Sequence, residues 1–453
     1  MEKYLKFVNY SIMSTWDVKR YALDNSVNYS NAIRLRDILN PYSVVIQKEE
    51  LLKNKWSIIQ KINFSGKLFL RNPNETRTFK GTLNLVESNT LIYSKINIRH
   101  GCIYYHPMDA MPFATSSEYP AFKFDTAKVS GDYLVKIIQS SYFKNVLDKK
   151  STGISKSRVK RDDFLDVRIP LPSLSEQQAL VNDYNAKINQ AENLEKQAKQ
   201  IEQEIEDYLL LELGVTFNNS STIEAKKDCF FDTIRYKDLL KWSVDHFSKE
   251  KKYGFRDVKY AVSSVENYII DIEGGKTPTT SNSEYWRDGD IYWVSAKDMK
   301  ELFLEKIQDK ITHKAVTESG LKIYPKNSIL CVFRSGILQH SFPICITNYP
   351  VTINQDLKSI RIEEKNVLKH YFVYYLKYMQ KMVLDIALKK GVTVESINID
   401  DFRRIPFVCP PIEVQQEIVT YINNLLVQIK KLKQQSEDLR KRALEDFEKE
   451  IFE

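Results

Sequence analysis

Two long stretches of the chain carry the hydrophobic pattern of extended helices. Residues 173–213 and 412–453 contain neither glycine nor proline and are rich in Gln, Glu, Lys, Ala and Leu, which favour helix. In the second stretch the apolar side chains recur at alternating spacings of three and four, the narrow seam of a coiled coil. This seam comprises Ile422, Leu425, Ile429, Leu432, Leu439 and Ala443, with Ser436 interrupting it. The first stretch repeats the register with Ala191, Leu194, Ala198, Ile201 and Ile205.

We therefore predict two helical rods, at 173–213 and 412–453, that bury their seams against each other within the chain. Because a whole globular segment separates the rods, the pattern leaves parallel and antiparallel orientations open. The alternative is that each rod packs only on its own globular segment, but its apolar stripe is narrower than such packing favours.

The segments outside the rods mix short β-branched runs with helical stretches, which predicts a mixed α/β class. Strands are predicted at Leu91–Ile96, Ile291–Val294, Ser328–Phe333 and Leu357–Ile362, and single helices at Tyr133–Leu147 and Tyr371–Lys389. At 453 residues the chain is too long for one ordinary core, so two globular units are expected.

Residues of the first half of the chain recur in the second half at a constant offset in sequence. Gln177 and Gln178 have identical counterparts 238 positions on, at Gln415 and Gln416. Further identical residues at this offset include Gly153, Phe164, Pro172, Val181, Asn185 and Leu194, repeated as Gly391, Phe402, Pro410, Val419, Asn423 and Leu432. A constant offset indicates a duplicated unit, which suits a partner that is itself repetitive or two-sided.

Composition narrows the class of protein only a little. The net charge of +8 suits a polyanionic partner without requiring one, and a mildly basic soluble protein is the alternative. The five cysteines form no Cys-x-x-Cys pair, so neither a zinc site nor a disulfide scaffold is expected. With no signal pattern and no long apolar run, we expect a cytoplasmic protein that does not enter a membrane.

Catalytic motifs are missing from the sequence. Asn40-Pro41-Tyr42 lacks the second proline of an adenine methyltransferase loop, and no Gly-x-Gly turn for a methyl donor follows a strand. Gly274-Gly275-Lys276-Thr277 resembles the end of a phosphate-binding loop, but Ile270 stands where the first glycine is needed. We interpret that segment as a turn, and we predict a binding protein without catalytic residues, resident cofactor or metal.

Polar and basic side chains at strand ends and turns are the candidate DNA-binding residues, because Arg, Lys, Gln, Asn and Ser can contact phosphates or base edges. In the second half they are Lys276, Thr277, Ser295, Lys297, Arg334, Ser335 and Gln355. In the first half, alternation along the predicted strand places Lys95, Asn97 and Arg99 on one face, with His100 next to them. Taken singly, each could equally be a turn-forming or solubilising residue.

These features together resemble a known family, the specificity subunits of Type I restriction-modification systems. The entry to the first rod reads Ile169-Pro170-Leu171-Pro172-Ser173-Leu174-Ser175-Glu176-Gln177-Gln178 and returns at Pro410–Gln416. The stretches Gly275–Pro278, Trp293–Met299 and Asn354–Leu357 look like that family's recognition signatures. The chain departs from the family at Arg334-Ser335-Gly336-Ile337-Leu338, where Arg-Gly-x-Ile-Gly is frequent, and its first half lacks the Gly-Lys-Thr-Pro turn.

The resemblance implies a domain plan. Target-recognition domains would occupy 1–168 and 232–408, conserved helices 169–214 and 409–453, and a linker 215–231, with the two helices paired as an antiparallel coiled coil. The framework for pairing and subunit docking would include Gln177, Gln178, Leu194, Ile201, Gln415, Gln416, Leu432 and Leu439.

The resemblance also implies a function. The chain would read a bipartite, asymmetric site on double-stranded DNA and position two methylation subunits and the restriction/translocase subunits on it. It would itself be non-catalytic, because S-adenosylmethionine, ATP and Mg would belong to those partners. The alternative is a coiled-coil adaptor that does not bind DNA. The half-site sequences and their spacing cannot be deduced from one sequence.

Overall fold

A computed structural model describes residues 32–72, 79–150, 158–217, 253–255, 258–391 and 394–452. The chain divides into two compact units. The first unit combines Met1–Glu195 with Lys433–Glu453, and the second is Lys196–Leu432. Beyond Phe217, the expected linker lies outside the described residues.

Within its described residues, the first unit contains two antiparallel sheets and two strand pairs. Its strands are β1 Ala32–Arg34, β2 Leu39–Tyr42, β3 Val45–Ile46, β4 Ile59–Ile62, β5 Leu68–Leu70, β6 Leu83–Val86, β7 Thr90–Tyr93, β8 Ile103–His106, β9 Phe113–Thr115, β10 Ala121–Phe124 and β11 Arg168–Pro170. A four-stranded sheet has the order β2-β10-β7-β8 and a three-stranded sheet the order β3-β6-β9, while β1 pairs with β11 and β4 with β5.

Helices pack on both sheets of this unit. They are α1 Lys48–Asn54, α2 Gly131–Gln139, α3 Ser141–Lys150, α4 Arg161–Leu165 and the first part of α5 Leu174–Leu213. The core unites Phe122 of the sheet, Ile137 of α2 and Phe164 of α4, all fully buried. Val181 of α5 and Phe447 from the end of the chain complete the same core.

The second unit repeats this plan with more strands. They are β12 Thr216–Phe217, β13 Tyr253–Gly254, β14 Val262–Ser264, β15 Ile269–Gly274, β16 Ile291–Val294, β17 Phe303–Leu304, β18 Asp309–Ile311, β19 Ile329–Val332, β20 Ile344–Thr347, β21 Val351–Ile353, β22 Leu357–Ile362, β23 Leu388–Lys389, β24 Ser396–Ile397 and β25 Pro406–Val408. Sheets have the orders β15-β22-β19-β20-β17 and β18-β16-β21. The two-stranded pairs are β12-β13, β14-β25 and β23-β24.

The helices of the second unit pack on its five-stranded and three-stranded sheets. They are α6 Ser283–Trp286, α7 His313–Glu318, α8 Lys369–Tyr378, α9 Gln380–Ala387, α10 Ile399–Arg403 and the first part of α11 Ile412–Phe452. Tyr371, Phe372 and Tyr375 of α8 are fully buried, as is Phe407 of β25. The last part of α5 and the first part of α11 belong to this core.

The helices α5 and α11 confirm the two predicted rods almost to the residue. Within the first unit Tyr184 of α5 packs on Phe447, with ring centroids 6.0 Å apart. Farther along α5, Glu195 accepts a hydrogen bond of 2.8 Å from Ser436. Residue numbers therefore rise along α5 while those of its α11 neighbours fall. In the second unit Tyr208 packs on Tyr421 at 4.1 Å.

Two helix predictions are only partly correct. The stretches predicted as single helices at Tyr133–Leu147 and Tyr371–Lys389 are each broken near the middle, at Ser140 and at Met379. Ser140 takes an extended backbone conformation, and its hydroxyl donates to the carbonyl of Ile137 at 2.7 Å. A serine side chain that bonds the local backbone in this way competes with helix continuation.

Candidate nucleic-acid interface

In the second unit, the candidate residues gather where two parallel strands end. The strands β16 and β21 are parallel, and their last residues Val294 and Ile353 lie opposite each other. The amide of Asn354 donates to the carbonyl of Val294 at 3.0 Å, which ties the two ends together. The segments that follow carry Ser295 and Lys297 on one side and Gln355 on the other, so the structure brings these three predicted residues to one edge.

The segment after β15 closes onto the same edge. The amide of Lys276 donates to the carbonyl of Ile353 at 3.0 Å, and the Trp293 indole donates to the carbonyl of Lys276 at 3.3 Å. Thr277 Oγ1 donates to Gln355 Oε1. A Cβ at Gly275 would overlap the Ile353 carbonyl, so only glycine permits this backbone approach. The turn predicted here therefore exposes Lys276 and Thr277 beside Gln355.

Backbone hydrogen bonds to Asp356 place Arg334 and Ser335 at this same edge. The amides of Phe333 and Arg334 both donate to the carbonyl of Asp356, at 2.9 and 3.2 Å. Ser335 Oγ accepts from the amide of Ile337 at 3.4 Å and caps a 3-10 helix at Gly336–Gln339. The loop that departs from the family pattern is thus an ordered helical turn with Arg334 exposed.

Charge at this edge is basic and partly paired. Lys276, Thr277, Lys297, Arg334 and Gln355 are exposed, whereas Ser295 and Ser335 are half-buried. Lys297 Nζ lies 2.7 Å from Asp309, and this hydrogen bond raises the pKa of Lys297 above its ordinary value. Lys297 therefore stays cationic. Buried Asp298 accepts from the Ser295 amide at 3.0 Å and fixes the turn that displays Lys297.

The prediction of a strand face at Lys95, Asn97 and Arg99 is wrong. The strand β7 ends at Tyr93 instead of continuing to Ile96, and a 3-10 helix occupies Ile98–His100. The amides of Asn97 and Ile98 both donate to the carbonyl of Ser94, which closes a turn that extended backbone could not make. Arg99 instead pairs with Asp148 at 3.0 Å, and His100 is exposed.

The two halves hold this region with the same hydrogen bonds. The amide of Lys95 donates to the carbonyl of Glu118 at 3.1 Å, and the amide of Phe333 donates to the carbonyl of Asp356 at 2.9 Å. Phe333 follows Lys95 by 238 positions, and Asp356 follows Glu118 by the same distance. Likewise Val159 donates to the carbonyl of Lys95 as Ile397 does to that of Phe333. We call residues 95–100 and 333–338 the helical turns, and residues 116–118 and 354–356 the strand-end turns. The predicted residues of the first half thus occupy a helical turn equivalent to the one that carries Arg334 and Ser335.

Sequence reasoning missed the strand-end turn of the first half. Ser116, Ser117 and Glu118 follow β9 as Asn354, Gln355 and Asp356 follow β21. Ser117 is exposed, and Glu118 pairs with Arg158 at 3.2 Å. The sequence could have indicated this turn. Ser117 lies 238 residues before Gln355, the same offset that relates Gln177 to Gln415.

The predicted framework glutamines divide into two kinds. Gln177 is buried, accepts from the amide of Ser130 at 2.8 Å, and donates to the carbonyls of Lys128 and Pro172 at 3.1 and 2.8 Å. Gln415 makes the equivalent bonds to Leu368 at 2.8 Å, Asn366 at 3.0 Å and Pro410 at 2.8 Å. Both tie a rod to its own globular segment.

Gln178 and Gln416 are exposed and bond only one helical turn ahead, to Asn182 and Thr420. The remaining predicted framework residues lie half-buried along the rods: Leu194 and Ile201 on α5, Leu432 and Leu439 on α11.

Neither a metal centre nor a membrane span was found in the described parts of the chain. Among those residues, no three or more His, Cys, Asp or Glu side chains are grouped to hold a metal ion. No described helix combines the length and apolarity needed to cross a bilayer.

Comparisons with known proteins agree with this architecture. Residues 267–440 match the family model of the Type I restriction modification DNA specificity domain. The chain is 35% identical over 150 residues to the EcoR124I/EcoR124II specificity subunit of Escherichia coli, covering 33% of this chain and 37% of the relative. It is 32% identical over 214 residues to the MjaIX specificity subunit of Methanocaldococcus jannaschii, covering 46% and 47%. The matches therefore span less than half the length of these relatives.

One solved structure is similar along nearly the whole chain. It was described in work on complex assembly and conformational transition of the type I R-M system, and it matches with a TM-score of 0.52 at 17% identity, over 93% of this chain and 97% of that one. This similarity concerns the fold alone. Residues 267–440 thus match the Type I restriction modification DNA specificity domain, and parts of the chain are similar to the specificity subunits of these restriction enzymes.

Proposed function

We propose that the chain is the sequence-reading subunit of a Type I restriction-modification complex. Each globular half, 1–168 and 232–408, reads one part of a bipartite and asymmetric site on double-stranded DNA. The basic edge formed by Lys276, Lys297 and Arg334 suits this role, because cations next to amide and hydroxyl groups can contact both phosphates and base edges.

The observation that carries the proposal is that equivalent backbone hydrogen bonds hold the helical and strand-end turns of both halves, while the side chains of these turns differ. The same bonds hold the two pairs of turns, yet the strand-end turn reads Ser-Ser-Glu in one half and Asn-Gln-Asp in the other. Base edges are distinguished by side-chain donors and acceptors, so two such turns are suited to unlike half-sites. An asymmetric target follows from this difference.

The rods α5 and α11 set the distance between the half-sites as an antiparallel coiled coil. The order of contacts in the first unit supports this arrangement, because Tyr184 meets Phe447 and Glu195 meets Ser436. Two methylation subunits and the restriction/translocase subunits dock on this framework. Adenine methylation and ATP-dependent cleavage belong to those partners, with S-adenosylmethionine, ATP and Mg.

Two substitutions test the assignment of the second half. Lys297→Ala and Arg334→Ala, in the full chain produced with its methylation subunits, should weaken binding about 10-fold or more or relax the preference in one half-site only. Methylome sequencing of a host carrying each variant defines both half-sites, and titration of the matching DNA measures affinity.

The matched control is Lys365→Ala. It removes one exposed cation beside Asn366, whose carbonyl bonds Gln415 at the entry to α11. It should leave both half-sites unchanged. Equal loss at both half-sites in Lys297→Ala would contradict independent reading by the two halves. Absence of salt-dependent DNA binding by the wild-type complex would instead favour a coiled-coil adaptor.

A further inference from the structure

A hairpin in the first unit displays an aromatic ring to solvent. The strands β4 and β5 are joined by residues 63–67, and Phe64 near the tip is 65% exposed. Among the residues whose exposure the structure describes, no other phenylalanine or tryptophan is exposed. A single exposed apolar side chain is common on protein surfaces, so the backbone, the aromatic neighbour and the charge around Phe64 decide what it can bind.

The hairpin tip is held in one conformation by its own side chain. Asn63 Oδ1 accepts from the amides of Ser65 and Lys67, at 3.2 and 2.7 Å. Gly66 closes the turn with φ of +81° and donates its amide to the Asn63 carbonyl at 3.0 Å. Because the tip is fixed in this way, Phe64 is presented without a further ordering cost on binding.

The tip lies against the helical turn of the first half. The ring of Phe64 is 5.2 Å from that of His100, centroid to centroid. A Cβ at Gly101 would contact the Phe64 carbonyl at 2.9 Å, so the two backbones approach closely. Gln139 donates to the carbonyl of Gly101 at 2.9 Å and secures the turn from the other side. Phe64 therefore belongs to the same surface as His100.

The flanks of the hairpin are basic. Lys61 and Lys67 are exposed, and their Nζ atoms lie 5.2 and 5.8 Å from the Phe69 ring centroid. An aromatic ring with a lysine on either side is complementary to a ligand that combines planar apolar groups with a negatively charged backbone. Nucleic acid has that chemistry, since bases stack on aromatic rings while phosphates pair with lysine.

We propose that Phe64 packs its ring against a base face at the first half-site of duplex DNA, as an apolar wedge flanked by the phosphate contacts of Lys61 and Lys67. The inference rests on the proposed function and extends it to a residue that reads the base stack instead of a base edge. A wedge of this kind favours steps that unstack easily, so it adds a preference that hydrogen bonds do not supply.

The test compares Phe64→Ala, Phe64→Trp and Met111→Ala in the full chain with its methylation subunits. Met111 is the control, because it is an apolar side chain of the same unit that is 72% exposed. The DNA carries the site defined by methylome sequencing, with 2-aminopurine at each adenine of the first half-site and its flanks. Affinity, its salt dependence and 2-aminopurine emission are measured, with thermal melting to verify folding.

We expect Phe64→Ala to lower affinity about 5- to 100-fold and to abolish an emission increase that the wild type produces. The salt slope should stay unchanged because no charge is lost, whereas Lys67→Ala should reduce it by about one. Phe64→Trp should retain binding and emission.

Wild-type affinity and emission in Phe64→Ala would overturn the inference. An equal loss in Met111→Ala would also overturn it, as would a loss of subunit assembly in place of DNA affinity. Failure of the wild-type complex to bind DNA would be a different result, because it contradicts the proposed function itself.

Discussion

The two halves share the same buried glutamine, whereas the side chains of their strand-end turns differ at every position. Gln177 and Gln415 keep the same three backbone partners, one for one, across the duplication. The strand-end turns, held by equally well matched backbone bonds, share none of their three side chains. Backbone bonds accept any side chain, whereas a buried amide side chain that satisfies three polar groups has no substitute. This difference distinguishes the frame, meaning the residues that join each rod to its globular segment, from the turn residues whose side chains can change with the DNA sequence that is read.

The largest effect should come from the frame, at the packing of α11 on the first unit. Phe447 is 2% exposed and packs on the rings of Tyr133 and Tyr184. Phe447→Ala should reduce the free energy of unfolding by about 3–5 kcal/mol, because it removes a large buried ring and leaves a cavity. Urea unfolding measures the change. Val427→Ala on the same rod, where the side chain is 68% exposed, should cost less than about 0.5 kcal/mol.

A smaller effect should follow from removing either buried glutamine. Gln415→Leu and Gln177→Leu each leave one amide and two carbonyls without their partner, and should each destabilise by about 2–4 kcal/mol. The neighbouring exposed changes Gln416→Leu and Gln178→Leu should be nearly neutral. Urea titration of the four variants sharpens the comparison. If only one half depended on its glutamine, the equivalence of the two frames would fail.

The smallest effect on stability should come from the glycines beside the second strand-end turn. At Gly275 a Cβ would overlap backbone carbonyls, so Gly275→Ala must displace the segment that carries Lys276, at about 1–3 kcal/mol. At Gly274 the Cβ would meet only the flexible end of Lys358, so Gly274→Ala should cost less. Methylome sequencing should report altered reading of the second half-site for Gly275→Ala alone. Unaltered reading in both variants would separate this segment from recognition.

Local sequence pattern was sufficient for the parts of the fold that depend on local physics. The rods followed from the heptad spacing and the absence of glycine and proline, and β16 and β22 appeared at the predicted residues. The strand at Lys95 failed because Ile98 is buried beneath a turn, which gives the same apolar alternation as a strand. The proximity of Lys276, Lys297 and Gln355 could not be predicted, because it depends on the parallel pairing of β16 with β21. These strands are distant in sequence: β16 ends at Val294, and β21 begins 57 residues later at Val351.

The buried glutamines also bear on how such a chain can change over generations. Each one bonds to backbone atoms just before a rod and just before helix α2 or α8, and Gln415 also donates to Cys409 Sγ at 3.5 Å. Among the described residues, none between β1 and Lys128, or between β14 and Asn366, takes part in these bonds. A foreign segment inserted between those borders would therefore inherit the junction unchanged, and new target preferences could be acquired by recombination in one step instead of by gradual mutation.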